Sequence, residues 1–589
     1  MRQLPALLAL TFSAMLAACT TQQEQATVTA PTLASASAAT PIVNYGQRFL
    51  PKAATNDMVV APEQLAAEVG TRILQEGGNA IDAAVATGFA LAVTFPQAGN
   101  LAGGGFMLIH LAGEERQTFI DYRESAPAAA TRNMFLDDSG EVDRRREYFS
   151  HQAAGVPGTV AGMLYALEKY GTLSREDVLA PAIELARDGI PVSYAHHVAL
   201  NSRVDTLKRN AEATRLFLTP EGAAPPIGSK WVQSDLASTL AAIATEGRDG
   251  FYAGRVGQLI ADDMAANSGL ITLEDLANYQ VIEREPVRGT FRDFEVVSAP
   301  PPSSGGVHIV QMLNILEGYD LKSLGHNSAA YVHYLAEAMK YAYADRSEYL
   351  GDPDYVDVPV AKLTDKAYAA RLRSEVSDDR ATPSKDIAPG RMLAPESPDT
   401  THYSVADSDG NVVSNTYTLN FSYGSHIAVP GTGVLLNNEM ADFAAKPGTA
   451  NAYGLVQGEA NKIEPGKRPL SSMSPTIVLK DGAPWLATGS PGGSVIITTV
   501  LQTILNAMEF DMNMATAAAE ARLHHQWLPD TLRLERGFSA DTVRLLEAMG
   551  HPVEVGDRTT GRTNSIMLED GWLYGASDTR RLGGAVSGY

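Results

Sequence analysis

Between Ser374 and Asp399 the chain carries Pro383, Pro389, Pro395 and Pro398 among Ser, Asp and Lys, and directly afterwards its apolar period drops to two. Residues His402 to Asp407 and Val412 to Leu419 read as paired strands joined by Ser408-Asp409-Gly410-Asn411, where Asp-Gly suits a tight hairpin turn. The Pro-rich stretch is expected to be a mobile loop, so Thr400 stands where loose chain enters a strand. Any fold must hold this hairpin among segments that are helical by pattern. Pro62 can open a helix in which Leu65, Val69 and Ile73 recur every four residues, and Gly77-Gly78 stop it. An apolar helix from Ala80 to Val93 follows. Ser174 with Asp177 makes a capping box for a helix ending near Gly189, with a kink expected at Pro181. A long helix is predicted over Ala329 to Tyr349, with Val332, Leu335, Met339 and Ala342 along one stripe.

The function classes open to such a chain are narrowed by charge and by cysteine usage. Of 589 residues, 46 are basic and 68 acidic, a formal charge of -22, and 45% are hydrophobic. That is globular material rather than a disordered chain, and an acidic surface gives no electrostatic footprint for nucleic acid. Small-molecule partners fit better. The single cysteine, Cys19, excludes a disulfide framework and a Cys-rich metal site.

That cysteine closes an amino-terminal address. Arg2, the apolar run from Leu4 to Leu16 and the ending Leu16-Ala17-Ala18-Cys19 read as a secretory signal over residues 1–18, since the run is too short to span a membrane. Leu-Ala-Ala-Cys is similar to a bacterial lipoprotein box, in which the cysteine is acylated; a plain signal cut near Ala18 is the alternative. Residues 19–42, rich in Thr, Ala, Ser and Gln, are expected to be a flexible, lipid-anchored tether. The expectation is an exported, periplasmic protein held to a membrane only at Cys19. Thr20 rather than Asp after it points, by analogy with known lipoproteins, to the outer membrane.

Familiar hydrolase signatures are missing. The sequence has no GxSxG, HExxH or GxxxxGK[ST] pattern. Gly103-Gly104-Gly105 lacks the spacing of a dinucleotide fingerprint and reads as close backbone packing. His524-His525 has no accompanying ligand set and reads as structural. No metal or organic cofactor is expected.

Asp399-Thr400-Thr401-His402 is more informative. A threonine hydroxyl is a poor nucleophile by itself. If the peptide bond before Thr400 is cut, the freed α-amine, with an ordinary pKa near ~7.7 to 8, can take the hydroxyl proton directly or through one water. The same hydroxyl could first cut its own chain at the Asp399 carbonyl, through an ester that water hydrolyses. Thr-Thr before a strand also fits simple β-propensity, and these residues alone leave both readings open.

Three further stretches bear on that choice: Gly77-Gly78-Asn79-Ala80-Ile81-Asp82-Ala83-Ala84, Pro300-Pro301-Pro302-Ser303-Ser304-Gly305-Gly306, and Lys467-Arg468-Pro469-Leu470-Ser471-Ser472-Met473-Ser474-Pro475. With Thr400, and in this order, they closely resemble the γ-glutamyltranspeptidase family of the N-terminal nucleophile hydrolase superfamily, from about Val59 to Tyr589. The resemblance implies an α+β fold, a four-layer αββα sandwich. It also implies a precursor that splits between Asp399 and Thr400 into a large subunit, 43–399, and a small catalytic one, 400–589, which stay together as a heterodimer.

The resemblance further assigns roles. Arg123, with Ser471 and Ser472 beside it, matches the family's grip on the substrate α-carboxylate, and a guanidinium suits that planar anion. Asn420, Glu439 and Asp442 match the acceptors for the α-ammonium; some bacterial relatives carry Gln where Glu439 stands. Gly492 and Gly493 match the oxyanion hole, in a glycine turn before the helical pattern Ile496, Val500, Ile504 and Met508, where unpaired N–H groups collect. Thr418 matches a threonine that hydrogen-bonds the nucleophile. Lys446 to Gly458, with Tyr453, resembles a lid loop. Taken singly, each has a plainer reading as a surface ion pair, a turn or a solvated face.

The implied substrates are glutathione and other γ-glutamyl compounds, with water, an amino acid or a dipeptide as acceptor. Two rivals remain. A glutaryl acylase of the cephalosporin type would have no ammonium to bind. A non-catalytic lipoprotein that binds glutamyl peptides would stay in one piece.

Overall fold

A computed structural model describes residues 48–387, 400–449, 451, 455–556 and 561–589. The signal, the tether, Cys19, Asp399 and Tyr453 lie outside these residues, as does the Pro-rich stretch from 388 onward.

Two seven-stranded antiparallel sheets lie face to face. In spatial order one holds Ala585–Gly588, Met58–Ala61, Thr400–Ala406, Val412–Thr418, Gly104–Leu111, Arg116–Asp121 and Ile282–Arg284. The other holds Lys52–Ala54, Trp572–Ser577, Asn564–Glu569, Ala483–Thr488, Thr476–Lys480, Phe294–Ser298 and Val287–Phe291. The period of two decides which side chains face where. Val59, Met107, Ile109, Tyr403, Val405 and Val413 pack with helices Gln64–Gln75, Ala80–Thr94, Thr159–Tyr170 and Ser234–Glu246. Their neighbours Met58, Val60, Phe106, Leu108 and Ala406 turn inward, in one cluster with Val297, Ile477 and Leu486 of the second sheet and with helices Gly305–Leu316, Ala329–Tyr349 and Val495–Met508. The result is the αββα sandwich.

Near Thr400 the layer between the sheets is polar. His402 shares a hydrogen bond with Thr416 Oγ1 at 2.8 Å, Ser404 Oγ donates to the Asn564 carbonyl at 3.0 Å, and Ser414 Oγ donates to the Thr488 carbonyl at 3.0 Å. Burial lowers the His402 pKa to about 3, so the ring is neutral. These bonds satisfy the groups that Thr400 joins at the end of the strand.

Local chemistry explains the element ends. The first helix begins at Gln64 rather than at Pro62, because the Glu63 side chain caps it by accepting from Ala66 N. Asn79 and Asp82 form a full capping box for Ala80–Thr94. Arg175–Asp188 continues through Pro181, whose burial beside Val178, Leu179 and Ala182 offsets the ladder bond that proline forfeits. The strand hairpin starts at Thr400, two residues before the alternation became legible, and pairs Thr400 with Thr418 and Ala406 with Val412. Its turn is wider than an Asp-Gly dipeptide: the Asp407 carboxylate accepts from Asp409 N at 3.0 Å and Asn411 N at 2.8 Å, and Gly410 adopts a φ of 88°. The described part of the Pro-rich stretch is tied down. Ser384 donates to Asp530 through its amide and its hydroxyl, and its carbonyl accepts from Trp527 Nε1 at 2.9 Å.

Both sheets contain strands from before and from after residue 400. A break before Thr400 therefore leaves two chains laced through one core, since Thr400–Ala406 is bonded to Met58–Ala61 on one side and to Val412–Thr418 on the other.

Candidate active site

Several element ends converge on one cleft of about 330 Å³. It is lined by Arg123, Arg346, Thr400, Thr418, Asn420, Glu439, Asp442, Asn451, Leu455, Leu470, Ser471, Ser472, Met473, Gly493 and Ile496. Gly492 stands beside Gly493 but not on this wall.

Thr400 is the first residue of its strand and Thr418 the last of the neighbouring one, and their hydroxyls lie 3.3 Å apart. Thr418 is fixed from both sides. Its carbonyl accepts from Asn100 Nδ2 at 3.0 Å, and a Cβ on Gly103 would sit 1.9 Å from that same oxygen, so only glycine allows the approach. Its hydroxyl oxygen accepts from Asn420 N at 2.8 Å. Asn420 turns the chain out of the strand at a φ of 73°, a conformation asparagine tolerates better than most residues, and its Nδ2 donates to the Asn438 carbonyl at 3.0 Å.

The short 3-10 turn Glu439–Asp442 sets its first and last carboxylates on the same side, because residues three apart eclipse in that geometry. Asn437 and Asn461 hold the turn by bonds to its first amide and its last carbonyl, at 2.9 and 2.7 Å. Both carboxylates meet Arg123. Its Nη1 donates to Glu439 and its Nη2 to Asp442 at 2.5 Å, while Nε donates to the Pro469 carbonyl at 3.2 Å. Glu124 also reaches Nη1, at 3.4 Å. The two ends of the pocket, read from sequence as separate grips for opposite charges, are thus bonded to each other.

Three buried carboxylates around this one cation cannot all ionise freely. Burial pushes Glu124 up to about 7 against the pull of Arg123. Burial raises Glu439 well above the usual carboxylate range, opposed by Arg123 and reinforced by Glu124 and Asp442. Asp442 is raised for the same first reason. Arg123 would be lowered by burial, but Glu439, Glu124 and Asp442 together raise it.

Ser471 and Ser472 lie in the loop before strand Thr476–Lys480; Ser471 Oγ accepts from Met473 N at 3.0 Å, and Ser472 Oγ accepts from Arg346 Nη2 at 3.2 Å. Gly492 and Gly493 link strand Ala483–Thr488 to helix Val495–Met508, with φ values of 138° and 58°. Their carbonyls accept from Val495 N and Ile496 N, whereas their own N–H groups meet no acceptor among the described residues. This is a ready anion site.

The cleft thus gathers Thr400, Thr418, Arg123, Asn420, Glu439, Asp442, Ser471, Ser472 and Gly493. His524 and His525 lie elsewhere, buried on Thr498, Gln526 and Asp530, in keeping with a structural reading. Two lining or adjoining residues escaped the sequence analysis. Glu124 stood in plain view next to Arg123. Arg346 occupies the next position of the stripe Val332, Leu335, Met339 and Ala342, where a charge among apolar residues was the available signal.

The sequence profile described as Gamma-glutamyltranspeptidase matches residues 66–588. The chain is 53% identical to the glutathione hydrolase proenzyme of Escherichia coli over 560 residues, 94% of this chain and 96% of that one. It is 41% identical to the acylase ACY 1 proenzyme of a Pseudomonas strain over 545 residues, 91% and 94% of the two chains. Among solved structures, the cephalosporin acylase of Bacillus halodurans superposes with a TM-score of 0.82 at 27% identity, covering 94% of this chain and 98% of that one.

Proposed function

Because the chain belongs to the γ-glutamyltranspeptidase family and is a self-processing γ-glutamyltransferase and glutathione hydrolase of two subunits, we propose that Thr400 carries both of its reactions. In the first, the Thr400 hydroxyl attacks the Asp399 carbonyl, the peptide bond breaks as the acyl group passes from nitrogen to oxygen, and water hydrolyses the ester. The products are a new carboxylate at Asp399 and a free amine at Thr400. In the second, that amine takes the hydroxyl proton and the oxygen attacks the γ-carbonyl of glutathione. The oxyanion forms against the amides of Gly492 and Gly493, the cysteinylglycine amine leaves with a proton, and a γ-glutamyl ester remains on Thr400. Water releases glutamate, or the amine of an amino acid or dipeptide takes the acyl group.

One observation carries the choice of a γ-glutamyl over a glutaryl group: Glu439 and Asp442 share the cleft with Thr400 and Arg123. A glutaryl chain would replace neither partner that these carboxylates lose when Arg123 turns to a substrate anion; a γ-glutamyl group brings the ammonium that does. We expect γ-glutamyl-p-nitroanilide to exceed glutaryl-p-nitroanilide in kcat/KM by on the order of 10³-fold, since a site built for a donor rejects the analogue lacking it. Equal rates would favour the acylase. The substrate ammonium needs Glu439 ionised, and burial, opposed by Arg123, raises its pKa above the usual carboxylate range. On the acid side kcat/KM should therefore rise with pH more steeply in the wild type than in Glu439→Gln, which has no such proton to lose. Identical slopes would contradict the assignment.

The proposal extends to location. Cys19 is the single cysteine, it closes a Leu-Ala-Ala-Cys sequence, and no described helix is long and apolar enough to cross a membrane. An exported chain held in the periplasm by acylated Cys19, at the outer membrane, fits these facts. Cys19→Ala should move the enzyme from the membrane fraction to the soluble one with its turnover intact; unchanged fractionation would refute the anchor.

A further inference from the structure

Helix Ala329–Tyr349 sends into the cleft a cation that the reaction above does not use. Arg346 is 2% exposed and lines the wall with Thr400, Asp442 and Ser472. Among the described residues no carboxylate pairs with it. Its Nε donates to Ser304 Oγ at 2.9 Å, its Nη2 donates to Ser472 Oγ at 3.2 Å, and its Nη1 has no acceptor. Arg123 is the opposite case, since Glu439, Asp442, Glu124 and the Pro469 carbonyl engage all three of its nitrogens. Burial lowers the Arg346 pKa to about 10, which still leaves it charged at neutral pH. Asp442 acts on it only through space, without an ion-pair contact, and a buried guanidinium so placed is unfavourable unless an anion arrives to meet it.

The hydroxyls around it point the same way. A guanidinium only donates, so Ser472 Oγ, accepting from Arg346, keeps its own proton to give. Ser304 is set likewise: it accepts from Nε and donates to the Ser471 carbonyl at 2.8 Å, which fixes the backbone of the serine pair.

We propose that Arg346 is a positioning residue for the substrate α-carboxylate, holding Ser472 as a hydroxyl donor and presenting Nη1 to the same anion, so that this group sits between two arginines. The inference rests on the γ-glutamyl reading above. When a γ-glutamyl group enters, its ammonium takes Glu439 and Asp442, and its carboxylate meets Arg346, Ser472 and the face of Arg123 so released.

The test compares L-glutamate with isoglutamine, its α-carboxamide, by calorimetry on the processed wild type and on Arg346→Gln, Arg346→Lys, Ser472→Ala and the Arg346→Gln/Ser472→Ala pair. Arg346→Gln should weaken glutamate about 10- to 100-fold, the size of a charged hydrogen bond, and leave isoglutamine within about twofold. Arg346→Lys should recover part of the loss. The double variant should bind no worse than about twofold below the weaker single one, because both changes remove one arrangement. With γ-glutamyl-p-nitroanilide, Arg346→Gln should raise KM while kcat changes by less than about threefold. Equal loss for both ligands, full additivity, or glutamate binding unchanged in Arg346→Gln would overturn the proposal. Wild-type turnover reads the γ-glutamyl assignment separately: an enzyme that binds glutamate through Arg346 yet turns over no γ-glutamyl donor would refute that assignment and not this one.

Discussion

Thr400→Ala should leave one uncut chain with γ-glutamyl turnover reduced by on the order of 10⁴-fold or more. Both losses have the same cause. The hydroxyl that attacks the Asp399 carbonyl is the one that later attacks the substrate, and the neighbouring Thr418 hydroxyl does not replace it, since it already accepts from Asn420 N and has no amine of its own. Folding should survive. Thr400 contributes one 3.3 Å hydroxyl contact to the site, while the strand it begins is bonded on both sides, so thermal stability should change by no more than about 1 kcal/mol. Thr400→Ser, which keeps a hydroxyl, should restore cleavage and turnover in part. Denaturing gels with p-nitroanilide assays on the three proteins decide the matter; a cut and active alanine variant would remove Thr400 from the mechanism.

Arg123→Gln should damage both binding and stability. With the guanidinium gone, Glu439, Asp442 and Glu124 face one another in a buried site without the one cation that, among the described residues, is paired with all three. Breaking a buried pair in this way costs about 3–5 kcal/mol near neutral pH. The cost depends on pH, with a definite sign. In the variant the raised carboxylates keep protons that the unfolded chain would release, so the folded state binds more protons and stability falls as pH rises from the ordinary carboxylate range toward the raised one. Urea melts should give a steeper fall between about pH 5 and 8 than in the wild type. For γ-glutamyl-p-nitroanilide, kcat/KM should drop by about 10²- to 10³-fold, and Arg123→Lys should recover little, because one ammonium cannot span two carboxylates and the Pro469 carbonyl. Wild-type melting behaviour in Arg123→Gln at pH 8 would contradict the ion-pair account.

The sequence made the hairpin legible because alternation survives in His402 to Val405, but it hid the strand's first two residues: Thr400 and Thr401 carry no apolar contrast. The capping residue Ser174 was readable since its bond to Asp177 is local. The contact of Arg123 with Glu439 and Asp442 was not, because those residues are more than 300 positions apart and only the folded sheets bring them together. Motif reasoning gave them opposite tasks and missed that unoccupied opposite charges pair with each other. Arg346 escaped for another reason. A charge on an apolar helix stripe is visible in sequence, but that it lacks a carboxylate partner is visible only in three dimensions.

The most direct test is amino-terminal sequencing of the smaller fragment from purified enzyme whose active sites have been counted. The account predicts Thr400 as its first residue, in an amount equal to the number of active sites. A fully active preparation in which the polypeptide is intact, or in which the new terminus is any other residue, would contradict it.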